Sequence, residues 1–204
     1  MNNSKNLLFL QPTPSLRELQ ILLEIDKNKK VSQNSISEAV GIAPSMVNNY
    51  LKDFVEHELV LMEGKTHRKV NYFLTEKGAA RRIQLLSKYM VEAVKLYKNA
   101  KFEISERLRA IRKEGIHRVV FYGAGETAEI AYTASEEIGF EVVAIVDSDV
   151  NRQGANFIGK TILPPSRIRI IKPEAVIITS LGYTDEIYTS IQHLEGENIK
   201  IRKI

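Results

Sequence analysis

Residues 118–128, RVVFYGAGETA, decide the fold of the second half of the chain. The first five residues form a run typical of a buried strand, and a Gly-Ala-Gly turn follows directly at 123–125. A helical pattern covers residues 126–138, and a second buried strand is expected at 141–146. Strand, glycine turn, helix and strand in this order form the first unit of a parallel Rossmann-like sheet. We therefore expect an α/β domain over residues 116–204.

The glycine turn and the acid that follows the second strand predict a nucleotide-binding site. Gly123 permits the sharp turn, and Gly125 lets backbone amides approach a phosphate at the helix N-terminus. Asp147 lies 22 residues after Gly125, a spacing expected of a carboxylate that accepts ribose hydroxyls and disfavours a 2′-phosphate. The predicted effector-binding residues lie beyond the carboxyl ends of the strands: Gly123, Ala124, Gly125, Glu126, Thr127, Asp147, Ser148, Asp149, Ser180 and Gly182. The alternative is a domain that keeps the turn for packing and binds nothing.

The remainder of the chain continues the alternation of strands and helices. Residues 157–163 suggest a short edge segment, 175–179 a buried strand, 184–194 an amphipathic helix and 199–201 a last strand. These segments predict five parallel strands.

The first half contains a helix-turn-helix pattern within SISEAVGIAPSMVNNYLKDFVEHELV, residues 35–60. A helix over residues 15–27, with Ser15 as its N-cap, is followed by a short helix, Gly41 and a longer helix from about Pro44. Polar side chains remain on the outer face at the start of the longer helix, where they could meet base edges and phosphates. This predicted base-reading set is Ser45, Met46, Asn48, Asn49 and Lys52.

A basic hairpin follows the helix-turn-helix. Short strands at 59–62 and 70–74 flank its tip, which suits a wing lying along DNA phosphates. The predicted phosphate-contacting residues of this tip are Lys65, Thr66, His67, Arg68 and Lys69. Residues 1–100 carry 15 basic and 10 acidic residues, whereas residues 101–204 carry 14 and 15. The positive excess therefore predicts double-stranded DNA as the partner of a winged-helix domain over residues 1–78. Winged helices that bind only proteins are the alternative.

Residues 79–115 are expected to link the two domains through helices. One helix is predicted to run to about Lys98 and a second over 102–113, with apolar residues at heptad spacing in the first. This stripe can pack on a second copy or on the chain's own domains. A homodimer is favoured, because winged-helix regulators generally read paired half-sites.

Two stretches resemble known families. Residues 35–60 with VNYFLTEKG, residues 70–78, resemble the winged-helix domain of MarR-type regulators, with Glu58-Leu59-Val60 in place of the usual Gly-Leu-Ile. Residues 119–183 resemble the small Rossmann-like domains labelled CoA-binding-like or nucleotide-sugar-associated. The order of the two domains is similar to the redox-sensing repressor Rex. These resemblances imply a transcription regulator with an effector, in order of preference a nucleotide-sugar, NAD(H) or a CoA derivative.

Other residue types bear on enzymatic function and location. The chain has no cysteine, and its four histidines show no metal-ligand spacing, so neither a catalytic residue nor a metal site is predicted. No apolar run approaches the roughly 20 residues that span a bilayer, and we expect a cytoplasmic protein without membrane contact. The rival function is an enzyme or enzyme subunit of polysaccharide or nucleotide-sugar metabolism that uses the winged helix for protein contacts.

Overall fold

The computed structural model describes residues 12–27, 31–64 and 70–204. The chain divides into two compact units, the first ending at Lys95 and the second spanning Leu96–Ile204. This division falls within the segment that the sequence predicts as the linker, 79–115.

In the part of the N-terminal unit that the structure describes there are three helices, a two-stranded antiparallel sheet and the first part of a long helix. Its elements are α1 (Pro14–Lys27), α2 (Gln33–Val40), α3 (Pro44–Glu56), β1 (Val60–Glu63), β2 (Asn71–Leu74) and α4 (Glu76–Lys113). α1 begins one residue before the predicted start, because Thr13 caps it instead of Ser15. The Leu16 N–H donates to Thr13 Oγ1 over 3.2 Å, and Pro14 occupies the first turn, where a missing N–H costs nothing.

The helix-turn-helix forms as predicted from the sequence. α2 starts with a capping box between Ser32 and Ser35, and Gly41 ends it at φ 73° in the left-handed region. Pro44 lies in the first turn of α3. The three helices bury a common core that includes Leu22, Ile36, Val47, Leu51 and Phe54.

A non-glycine residue makes the turn between α3 and β1. Glu58 adopts φ 60°, at the position where the resemblance to MarR-type regulators calls for glycine. Its carbonyl oxygen accepts a hydrogen bond from Thr75 Oγ1 over 2.7 Å, and its carboxylate pairs with Lys77 at 3.4 Å. These contacts hold the turn against the residues that follow the wing.

Gly78 explains why the Leu-Thr-Glu-Lys-Gly ending follows the wing. A Cβ atom at Gly78 would lie 1.9 Å from the Leu59 carbonyl oxygen, so only glycine fits. Thr75 Oγ1 caps the same turn by accepting from the Gly78 N–H over 2.9 Å. The first turn of α4 therefore rests directly on the backbone at the start of the wing.

α4 is one continuous helix of 38 residues, and the predicted division into two helices is wrong. The sequence between Gly78 and Gly115 contains no glycine or proline, and nothing in that stretch terminates a helix. The predicted boundary between residues 98 and 102 therefore coincides with no helix-breaking residue.

The C-terminal unit is a mixed six-stranded sheet, mostly parallel, with helices on both faces. The strands are β3 (Arg118–Tyr122), β4 (Glu141–Val146), β5 (Asn156–Phe157), β6 (Lys160–Leu163), β7 (Ala175–Ile178) and β8 (Lys200–Lys203), in the order β5-β6-β4-β3-β7-β8. Five strands are parallel, and β5 alone pairs antiparallel. The chain moves outward from β3 to β6, then crosses back to place β7 on the other side of β3.

The predicted edge segment at 157–163 is a hairpin and not a single strand. Ile158 and Gly159 turn the chain at φ 49° and 74°, and Asn156 Oδ1 accepts the Gly159 N–H over 3.1 Å. A β-branched residue rarely adopts positive φ, which is why the sequence pattern concealed this turn.

Two apolar layers cover the sheet. On one face, α5 (Glu126–Ile138) and the end of α4 pack around Phe121 and Ile145. On the other face, α6 (Ile168–Ile171) and α7 (Thr184–Ile191) pack around Val120 and Val176. Because the helices cover the two faces of the sheet, the edge where the parallel strands end is the part left open to a ligand.

Candidate functional site

A cleft of about 750 Å³ lies at the carboxyl ends of β3, β4 and β7. β3 stands between the other two strands, at the point where the strand order reverses. Open parallel sheets bind their ligands at such points, and cavities of this size suit small molecules. All ten effector-binding residues predicted from the sequence line the cleft.

Gly123 shapes the cleft through its backbone. It adopts φ 111°, and a Cβ atom there would lie 2.9 Å from the Ser180 Cβ. The loop after β3 can therefore lie close to the loop after β7 only with glycine at this position.

Gly125 serves a different purpose. It is the N-cap of α5 at φ −114°, a conformation open to any residue, and a Cβ atom there would meet nothing within 4 Å. The space above Gly125 is the cleft itself. The first N–H groups of α5 have no partner within the helix, and Gly125, Glu126 and Thr127 line the cleft there.

Asp147 holds the glycine loop in place. Its Oδ2 accepts the Ala124 N–H over 2.8 Å, and its Oδ1 accepts the Asp149 N–H over 2.9 Å. Its side chain is only 13% exposed, against 47% for the side chain of Asp149. The carboxylate that the spacing predicts as a ribose acceptor is thus engaged with two backbone amides, and Asp149 is the more accessible acid.

Arg152 is the cationic side chain of the cleft, and sequence reasoning missed it. Its Nη1 donates to the Ala124 carbonyl oxygen over 2.8 Å. The guanidinium lies 3.9 Å from Asp147 and 3.8 Å from Asp149, and half of the side chain is exposed. The available signal was its position five residues after Asp147, in the loop that leaves β4. The cleft lining also contains four acids: Glu126, Asp147, Asp149 and Glu186.

The floor of the cleft is polar. Tyr122 is the last residue of β3, and burial raises the pKa of its phenol, while hydrogen bonds with Ser190 and Ser148 act in the opposite direction. Thr179 Oγ1 lies within hydrogen-bond distance of the Tyr122 and Gly123 carbonyl oxygens, at 2.9 and 2.7 Å. Leu181 and Tyr183, which the sequence also places in the lining, line the cleft as well. The lining residues absent from the sequence prediction are Tyr122, Arg152, Thr179, Glu186, Ile187 and Ser190.

The predicted base-reading residues of α3 lie on its outer side. Ser45, Asn49 and Lys52 are exposed, and Met46 and Asn48 are half-buried. Val47 and Leu51 face the core and hold the helix in the unit. The predicted phosphate contacts at 65–69 lie outside the described residues.

The described ranges contain neither a candidate metal cluster nor a membrane-spanning helix. In residues 12–27, 31–64 and 70–204, no three or more His, Cys, Asp or Glu side chains cluster closely enough to hold a metal ion. Within the same ranges, no helix is both long enough and apolar enough to cross a membrane.

Family comparison divides the chain in the same way as the structure. Residues 15–60 match the family of winged helix-turn-helix DNA-binding domains. The N-terminal unit is a winged helix-turn-helix domain. Residues 115–202 match the family described as C2185-like, N-terminal. The observed fold of residues 15–60 agrees with the winged helix-turn-helix match.

Comparison with whole proteins yields partial alignments. No curated protein is significantly similar to the chain in sequence. Among solved structures, RV1404 from Mycobacterium tuberculosis is 15% identical, with 41% of this chain and 58% of that chain covered at a TM-score of 0.35. MepR, a transcription regulator of the Staphylococcus aureus multidrug efflux pump MepA, is 19% identical. The alignment covers 48% of this chain and 74% of MepR at a TM-score of 0.37. UDP-D-quinovosamine 4-dehydrogenase from Vibrio fischeri is 20% identical, with 44% of this chain and 78% of the dehydrogenase covered at a TM-score of 0.38. This chain therefore spans less than two thirds of the first of these proteins.

Proposed function

We propose that the protein is a transcription regulator that binds double-stranded DNA through its winged helix and senses a nucleotide-type effector in its C-terminal unit. That unit would act as a Rossmann-like sensor and not as an enzyme. Such a regulator works on chromosomal DNA, in keeping with the cytoplasmic location expected from the sequence.

The cleft at the ends of β3, β4 and β7 carries the proposal. It joins the start of α5, which favours a phosphate, to the accessible carboxylate of Asp149, which can accept hydroxyl groups. Arg152 stands beside the glycine loop, where a second phosphate oxygen could displace its loose contacts with Asp147 and Asp149. A position for hydroxyl groups beside a position for phosphate suits the ribose and diphosphate portions of a nucleotide.

The charge of the cleft narrows the effector class. Four carboxylates against one guanidinium disfavour a ligand with many exposed phosphates. A diphosphate flanked by neutral, hydroxyl-rich groups fits better, as in a nucleotide-sugar or NAD(H). A CoA derivative, with its additional phosphate, ranks below them.

Thermal unfolding against nucleotide ligands tests the sensor. A panel of NAD, NADH, CoA and UDP- and GDP-sugars should contain one class that raises the midpoint, because a ligand of the native state stabilises by mass action. Gly125→Val fills open cleft space and should abolish the shift, whereas Gly196→Val, at an equally open position outside the cleft, should keep it. No shift across the panel, or a shift that survives in Gly125→Val, would contradict the proposed site.

Salt-dependent duplex binding tests the regulator. Neutralised phosphates make affinity fall steeply with salt, and Arg68→Ala with Lys69→Ala should weaken binding to all duplexes and flatten that slope. The control, Lys113→Ala with Lys172→Ala, removes the same charge from the C-terminal unit and should leave the slope unchanged. If both double variants showed the same dependence of affinity on salt, the wing would not contact DNA phosphates.

Base readout is tested separately. Replacing Asn48 or Asn49 with alanine should relax sequence preference more than it lowers overall affinity. A uniform loss on all duplexes would count against base contacts by α3. Ligand binding without any duplex binding would instead favour the enzyme-subunit function, with the winged helix engaged in protein contacts.

A further inference from the structure

One side of α7 forms a wall of the cleft, which we name the α7 wall. Its residues lie at helical spacing and all line the cavity: Tyr183, Glu186, Ile187 and Ser190. Ile187 is buried against the sheet, whereas Glu186 and Ser190 are exposed. α5 and α7 pack on opposite faces of the sheet. A ligand that spans the cleft therefore has the start of α5 at one end and the α7 wall at the other.

Glu186 and Ser190 accept hydrogen bonds and have no proton to give. Ser190 Oγ donates its single proton to the Ile187 carbonyl oxygen over 2.7 Å. Its two lone pairs can then accept from the Tyr122 phenol and from a ligand. Glu186, as a carboxylate, is an acceptor only. Around the glycine loop the groups are instead donors, because Arg152 and the first N–H groups of α5 lie there. The α7 wall therefore favours a ligand group that carries donors.

Glu186 is free to bind such a group, unlike the acid next to it. Asp185 Oδ1 pairs with Lys203 Nζ at 2.7 Å and does not line the cleft. Across residues 12–27, 31–64 and 70–204, the Glu186 carboxylate has neither a hydrogen bond nor an ion pair. Two neighbouring carboxylates on α7 thus differ in one respect: one is neutralised outside the cleft, and the other lines the cleft without a partner.

We infer that the α7 wall is a subsite for the sugar ring of a nucleotide-sugar, in which Glu186 accepts sugar hydroxyl groups and rejects acidic sugars. The inference rests on the nucleotide effector proposed above. It adds that the sugar is the part of the effector that the protein distinguishes.

The spacing of the acceptors favours a sugar over a nicotinamide. Glu186 and Ser190 are four residues apart, which separates them by about 6 Å along the helix. Hydroxyl groups on different carbons of a pyranose ring can reach both acceptors, whereas the single carboxamide of nicotinamide can reach only one. A sugar carboxylate brings no donor and meets the negative charge of Glu186. Neutral and amino sugars therefore fit the α7 wall, and uronic acids do not.

Calorimetric titration of the full chain with matched ligands tests the subsite. UDP-glucose should bind about tenfold more tightly than UDP, because its hydroxyl groups gain hydrogen bonds to a charged acceptor. UDP-glucuronate, which differs by a carboxylate at C6, should bind about tenfold more weakly than UDP-glucose, because two like charges meet at the wall. GDP, GDP-mannose and GDP-mannuronate repeat the comparison with a second base, and NAD represents the nicotinamide alternative.

A variant of Glu186 separates charge from shape. Glu186→Gln keeps the size of the side chain and removes its charge, so UDP-glucose and UDP-glucuronate should come within about threefold of each other. Its affinity for UDP should equal that of the parent. Asp185→Asn is the matched control, because it makes the same change of charge one residue away and outside the cleft. It should keep the full discrimination between the two sugars.

The outcomes distinguish a failed subsite from a failed sensor. If UDP or GDP binds and the sugar adds no affinity, or if NAD binds and no nucleotide-sugar does, the subsite is wrong and the nucleotide sensor stands. Discrimination against UDP-glucuronate that is unchanged in Glu186→Gln, or lost in Asp185→Asn, would also overturn the subsite. If no nucleotide of the series binds, the proposed sensor is wrong and the subsite is overturned with it.

Discussion

Gly123 and Gly125 lie two residues apart in the cleft and should respond differently to a side chain. Gly123→Ala forces positive φ on an L-residue and brings Cβ within 2.9 Å of Ser180, so we expect a loss of about 2 kcal/mol or more in unfolding free energy. Gly125→Ala meets open space and should cost about 1 kcal/mol or less, the effect of a poorer N-cap. Urea denaturation of both variants measures the difference. Equal losses would show that the turn does not depend on its backbone conformation.

Glu114 gives one residue-scale prediction for pH. It accepts hydrogen bonds from the Arg202 guanidinium, with Nε to Oε1 at 2.9 Å, and this contact lowers the pKa of its carboxyl. A lowered pKa stabilises the fold above the ordinary glutamate value of about 4.3, and the contribution disappears as the pH falls below it. Glu114→Gln should therefore be modestly less stable than the parent at pH 7.

The same variant defines the pH window. The stability difference between Glu114→Gln and the parent should shrink as the pH is lowered through 4, as followed by denaturant unfolding at a series of pH values. Because the pair is partly exposed, high salt should also reduce the difference at pH 7. A difference that persisted unchanged in acid would mean that packing, and not charge, accounts for it.

The cleft shows which residue roles the sequence can predict. A position such as Gly123, whose role depends on backbone conformation, has a local sequence signature, because a strand precedes it and a helix follows it. All the predicted cleft residues line the cavity. Arg152 has no such signature, because its place depends on how the loop after β4 folds back over Ala124. The engagement of Asp147 with two backbone amides likewise depends on three-dimensional contacts that spacing alone does not reveal.

At the scale of elements, Gly78 is the residue on which the junction of wing and α4 depends. A Cβ atom 1.9 Å from the Leu59 carbonyl oxygen cannot be accommodated by moving a flexible side chain. We expect Gly78→Ala to destabilise the N-terminal unit by about 3 kcal/mol or more, because a steric clash with rigid backbone is among the most costly forms of overpacking. Lys77→Ala removes only an exposed ion pair and should change stability by less than about 1 kcal/mol. Differential scanning calorimetry compares the two, and similar midpoints would contradict the prediction.

Helices and strands were predictable where glycine or proline marks the ends of an element. Gly41 and Pro44 mark the helix-turn-helix in both sequence and structure. The continuity of α4 and the hairpin at Ile158 were not predictable, for opposite reasons. In α4 the predicted boundary near residue 100 coincides with no helix-breaking residue, so the helix continues, and at Ile158 a strand-forming residue occupies a turn.

At the scale of the whole molecule, regulation requires coupling between two sites. If an effector changes DNA affinity by some factor, bound DNA must change effector affinity by the same factor, because the two bindings form a thermodynamic cycle. We expect a factor of about 5–150, measured by titrating the effector with and without saturating duplex. Gly125→Val should bind DNA normally and lose this dependence. Equal effector affinity with and without duplex would show that effector binding and DNA binding are not coupled.

The exposed rim of the cleft also gives the chain a practical use. Tyr183 lines the cleft with 63% of its surface exposed, and the chain contains no cysteine, so Tyr183→Cys would place a single attachment point beside the ligand space and leave the glycine loop unchanged. A fluorophore on that sulfur would report occupancy of the cleft by a change in its emission, and an uncharacterised metabolite pool could be fractionated against it until the natural ligand is isolated.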